Sequence, residues 1–151
     1  MRGRSPTLRL VTQGESTQDR ATTRAERYEQ GRAVLDAVNP GAGAALRDAL
    51  GDVSPELEHQ VAAWAYGEVY ARAGLGPRDR QLVTLGMLCA LGGCEPQLEI
   101  HVGTALDVGL APQEIVEALL QSAVYCGFPR ALNATAAAKR VFAARGLLPL
   151  A

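Results

Sequence analysis

The chain has 151 residues, 48% of them hydrophobic and 21% charged, with a formal net charge of −1. This length suits one domain that buries a core without metal or disulfide staples, and the charge excludes a general attraction for nucleic acid. Three irregularly spaced cysteines, a polar start over residues 1–19 and the lack of a bilayer-length apolar run point to a cytoplasmic protein with reduced thiols and no membrane partner.

Residues 1–22 show little apolar periodicity and are expected to form a flexible tail ahead of a domain over 23–151. Thr23 and Glu26 have capping-box spacing, so the first helix should start there and stop at Asn39-Pro40-Gly41. A short helix over 44–50 follows. Ser54 is a good N-cap with Pro55 at the first helical position, and Leu57, Val61, Trp64 and Ala65 form an apolar stripe. The segment 78–91 is apolar on most sides and reads as the central buried helix. Helices are expected over 95–108, 112–125 and 132–144, with Gly109 and Gly146 as stops and Gly127-Phe128-Pro129 as a turn. About six helices with short connections predict a compact all-α bundle.

Polar residues on apolar faces are the candidates for chemistry. Glu68 lies four residues after Trp64 and seven after Val61, so helical spacing turns it toward the core. Arg72, four residues on, is within reach of an ion pair, and an ordinary structural pair would have the same spacing. His101 shares a face with Leu98, Ala105 and Val108. It suits either a satisfied core position or a general acid, since its pKa sits near neutrality. His59, between Glu58 and Gln60, reads as exposed.

Cys94 precedes the His101 helix, whose positive end lowers a thiol pKa, but a Cys-x-x-Cys pair would need a thiol where Gln97 stands. Cys126 reads as a small core residue. Phosphate loops and the Gly-x-Ser-x-Gly elbow are absent from the sequence, and two distant histidines give a metal site little support.

Several segments, in order, carry a resemblance. Ala65-Tyr66-Gly67-Glu68-Val69-Tyr70-Ala71-Arg72 resembles the Gly-Glu-Val segment of γ-carboxymuconolactone decarboxylases. Arg80-Gln81-Leu82-Val83-Thr84-Leu85 and the run from Ala90 through Gly92-Gly93-Cys94-Glu95-Pro96 to His101 continue it. Val108-Gly109-Leu110, Glu114-Ile115 and the run from Ala123-Val124-Tyr125 to Ala134 complete it, so the resemblance spans roughly residues 28–146. It implies an alkylhydroperoxidase-like fold assembled as a homotrimer or homohexamer, with sites near subunit contacts. It also implies a decarboxylase without cofactor or metal, acting on 4-carboxymuconolactone or a related small acid.

Two departures stand out. Where many relatives carry an acidic residue this chain has Gln81, and where members often have a histidine it has Gln121 or Ser122. They fit a relative recruited to another substrate.

The resemblance gives His101 and Glu68 catalytic roles and places Arg72, Gln121, Tyr125 and Trp64 against substrate. Decarboxylation needs a cation for the substrate carboxylate, a donor for the developing enolate and an acid to reprotonate carbon. Arg72 suits the first task through its planar fork, and His101 the second or third. Glu68 would orient either or shuttle a proton. The alternatives are another cofactor-free reaction such as isomerisation, dehydration or lactone opening, a thiol peroxidase, and a non-catalytic oligomeric binding protein.

Overall fold

The computed structural model describes residues 23–150, and the expected tail over 1–22 lies outside them. Among the described residues there are seven α-helices and no strand. In order they are α1 (Arg24–Val38), α2 (Ala42–Leu50), α3 (Pro55–Gln60), α4 (Pro77–Leu91), α5 (Glu95–Asp107), α6 (Pro112–Cys126) and α7 (Phe128–Ala144). Helix α3 continues without a break as a π-helical stretch, Val61–Tyr70.

Helices α4 to α7 form one bundle around Leu85, Leu98, Val102, Ile115, Leu119 and Phe142. Alanines fill the close α7 contacts: Ala134, Ala137 and Ala138 are all buried. The second layer is α1 laid against the π stretch. Here the backbones nearly touch, because Gly31 and Gly67 face each other without side chains. Asn39 donates to Thr104 Oγ1 at 2.9 Å, and Tyr70 and Thr84 share a hydroxyl hydrogen bond of 3.0 Å, joining this layer to α5 and α4.

The capping box at Thr23 and Glu26 forms as the spacing predicts. Ser54 precedes α3, with Pro55 in its first turn, but its side chain makes no capping hydrogen bond. Helix α7 starts four residues earlier than expected. Gly127, at φ 82°, ends α6 and opens α7 by itself, and Pro129 fits the first turn, where its missing N–H has no helical partner to lose. Helix α4 packs on α5, α6 and α7 as a central helix should. Yet Val83, Met87 and Leu91 leave one of its sides apolar and open.

Two expected burial patterns are corrected. Trp64 is 58% exposed and does not join an inward stripe. The stripe assumed 3.6 residues per turn, whereas π-helical i→i+5 bonding widens the turn and shifts which positions face inward. Ala62, Ala63 and Gly67 are the buried ones. His59 is half-buried rather than exposed, stacked on the Tyr28 ring at 5.4 Å between centroids.

Beside it, Glu58 is only 7% exposed. Tyr28 donates to its carboxylate at 2.5 Å and accepts from Arg47 at 2.9 Å. A carboxylate this buried is costly without a donor. Tyr28→Phe is therefore expected to lower stability by about 1.5–3 kcal/mol, the range for hydrogen bonds to charged groups. Chemical denaturation would show a lower midpoint with an unchanged slope.

Candidate functional site

The site is built on α4. Gln81 points into the bundle with 0% exposure, and its Oε1 lies 3.0 Å from Nδ1 of His101 on α5. Leu98, Val102 and Ala105 seat the His101 helix in the core, which holds the imidazole half-buried. That burial, with no charged neighbour contributing, holds the His101 pKa below the ordinary histidine value. The Nε2 amide of Gln81 is buried and has no hydrogen-bond partner among the described residues.

The same turn of α4 receives the end of the π stretch. Arg80 donates to the Arg72 carbonyl at 2.9 Å and lies over the Tyr70 ring at 5.7 Å, and Thr84 meets the Tyr70 hydroxyl. Residues 80–84 thus join the segment bearing Glu68 and Arg72 to the helix turn that holds His101. Glu68 is half-buried and lies 3.8 Å from Nε of Arg27 on α1, while Arg72 is exposed. Tyr66 stacks at a tilt on Tyr70, and burial pushes its pKa up to about 12, so it stays a neutral hydroxyl.

Gln121 and Tyr125 lie elsewhere. They line an open groove of about 730 Å³ between α4 and α6, together with Leu82, Val83, Gly86 and Ser122. Glu68, Arg72, His101 and Trp64 are not among its walls. Tyr125 is 84% exposed, and the neighbouring Leu120, Val124 and Phe128 are exposed as well. The proximity of Tyr70 to Thr84 gave no signal in the sequence, because it depends on how the π stretch docks. Gln81 was visible only as an amide where relatives have an acid, and its contact with His101 spans 20 residues.

The thiols do not form a redox pair around Cys94. Cys94 Sγ donates to the Leu88 carbonyl at 3.3 Å, and Gln97, in the first turn of α5, cannot exchange disulfides. The close pair is instead Cys89 and Cys126, with sulfurs 3.9 Å apart, well beyond the ~2.05 Å of a disulfide. Burial pushes the Cys89 thiol up to about 11, which suppresses its thiolate. Cys94→Ser is therefore expected to keep most activity. Loss of hydroperoxide turnover in that variant, with a Cys94 disulfide found by mass spectrometry, would contradict this. Among the described residues no group of three His, Cys, Asp or Glu side chains could hold a metal ion, and no helix is long and apolar enough to cross a membrane.

Comparison with known proteins agrees with the segments found in the sequence. The profile of the carboxymuconolactone decarboxylase family matches residues 55–140, more than half of the chain. The 4-carboxymuconolactone decarboxylase of Acinetobacter baylyi is 32% identical over 126 residues, which cover 82% of this chain and 92% of that protein. The nitrosuccinic acid decarboxylase npaB of Metarhizium robertsii is 39% identical over 92 residues, 60% of this chain and 62% of that protein. An uncharacterized 15.0 kDa protein of Paracoccus denitrificans is 28% identical over 116 residues, 76% of this chain and 87% of that protein. The chain belongs to the carboxymuconolactone decarboxylase family.

Proposed function

We propose that this chain is a cofactor-independent carboxy-lyase acting on a small carboxylated lactone or a related acid. The observation that carries the proposal is the single turn of α4, residues 80–84, that holds His101 through Gln81 and docks the end of the π stretch bearing Glu68 and the turn after it bearing Arg72. Two relatives named as decarboxylases, of different acids, support the reaction class and leave the acid open.

In this reading Arg72 holds the substrate carboxylate that stays, through its planar fork. Glu68 orients Arg72 or His101. Loss of CO2 leaves an electron pair that delocalises into the carbonyl, and His101, protonated, returns one proton to carbon. The balance is one carboxylate and one proton consumed, one CO2 and one C–H formed, with His101 recharged from water. Burial alone favours neutral His101, and the bound substrate's negative charge favours the imidazolium it needs.

The proposal extends to an alkylhydroperoxidase-like homotrimer or homohexamer in the cytoplasm. Val83, Met87, Leu91, Val124, Tyr125 and Phe128 are exposed apolar residues on α4, α6 and α7, a pattern that suits burial against another subunit. Gln121 and Tyr125 would then contact substrate bound by a neighbouring copy, and Trp64 would line the mouth of its own site. Light scattering at micromolar concentration should give a mass of three or six chains, and a stable monomer would contradict the assembly.

The function is tested with a panel of acids that includes 4-carboxymuconolactone and nitrosuccinic acid. CO2 released with loss of one carboxylate from the product is the expected result. A product of unchanged mass would mark an isomerase instead, and hydration or dehydration would show as a change of one water.

A further inference from the structure

We infer that Gln81 is a positioning residue that keeps a proton on Nδ1 of His101 and so confines proton exchange to Nε2. The amide oxygen of Gln81 lies 3.0 Å from Nδ1. An amide oxygen accepts and cannot donate, so the ring nitrogen facing it must carry the hydrogen. The neutral ring then has its lone pair on Nε2, and the charged ring carries its additional proton there. Gln81 accepts the same hydrogen bond in both states, so the ring does not need to turn over during a catalytic cycle. Gln81 is fully buried, so bulk water does not compete for its amide oxygen.

The amide has a second consequence, for acid strength. A carboxylate in this place would stabilise the imidazolium by Coulomb attraction, whereas the amide is neutral. Burial is the cause that lowers the His101 pKa, and no charged group on α4, α7 or its own helix α5 counters it. Arg140 of α7 and Arg145, just past its end, are engaged with Glu99 and Asp107 of α5, and Arg78 of α4 with Glu114 of α6. The imidazolium is therefore a stronger acid than ordinary histidine, suited to protonating a weakly basic carbon. This last step rests on the decarboxylase reading, but the tautomer does not.

The test is nitrogen-15 NMR of the full chain without substrate, with His101 told apart from His59 by the His101→Asn variant. Neutral His101 should show a protonated Nδ1 and a bare Nε2. Gln81→Glu should move its titration up by about one pH unit or more, as expected for a close opposite charge. Gln81→Leu removes the acceptor and should return the ring to a mixture of tautomers. A wild-type ring protonated on Nε2 would overturn the inference without any variant. So would a His101 titration unchanged in folded Gln81→Glu. A chain that shows the Nδ1 tautomer yet releases no CO2 from any acid would sink the proposed function while leaving the role of Gln81 intact.

Discussion

Replacing His101 with Asn is expected to lower turnover by about two to four orders of magnitude, the usual range for losing general acid-base help. Asparagine can still hydrogen-bond with the Gln81 amide, so the local packing of α5 on α4 is kept while proton transfer is lost. Substrate affinity should change much less than turnover, because the carboxylate is assigned to Arg72. The pH profile provides an independent check. With the imidazolium as the proposed working acid, the wild-type rate with free enzyme and substrate should fall as pH rises through the His101 pKa. Burial places that pKa below the ordinary histidine value. The descending limb should be absent in His101→Asn. A variant of normal rate on its true substrate would remove His101 from the mechanism.

Gly31→Ala is expected to be the most damaging substitution of a small residue outside the site. A Cβ at Gly31 would stand 1.9 Å from the Ala62 carbonyl oxygen and 2.5 Å from its carbon. Both are backbone atoms of the π stretch, which cannot swing aside as a side chain would. Helix α1 must instead move off the π stretch, at an overpacking cost of about 1–3 kcal/mol or more. Thermal unfolding should show Tm lower by about 2–12 °C. Activity should fall too, because the π stretch carries Glu68 and leads into Arg72. Gly74→Ala is the control, since nothing lies within 4 Å of the Cβ it would gain. Equal Tm values for the two variants would contradict the close crossing of α1 and the π stretch.

The helical class and most helix ends were legible because they depend on local signals. Thr23 with Glu26, Pro55, Pro96 and Pro112 each mark a helix start through backbone chemistry that needs no tertiary partner. The π stretch was not legible. Its wider turn lies against α1, where Gly31 meets Ala62, and a 3.6-residue period placed Trp64 inward where the molecule leaves it exposed. His101 was visible as a polar residue on an apolar face. Its partner Gln81 was visible only as a departure from an acidic pattern, because an amide in an apolar helix has no periodic signature of its role. The stacking of His59 on Tyr28 was hidden for a similar reason: it joins residues of two helices that local spacing cannot relate.

His101 is proposed to protonate carbon after CO2 leaves, with no cofactor to carry the electrons. Turnover in D2O tests it most directly, with CO2 and carbon-bound deuterium counted in the same reaction for wild type and His101→Asn. Wild type should release one CO2 and gain one carbon-bound deuterium per turnover, and His101→Asn should lose both together by about two to four orders of magnitude. Product formed without CO2, or CO2 released at the wild-type rate by His101→Asn, would contradict the account.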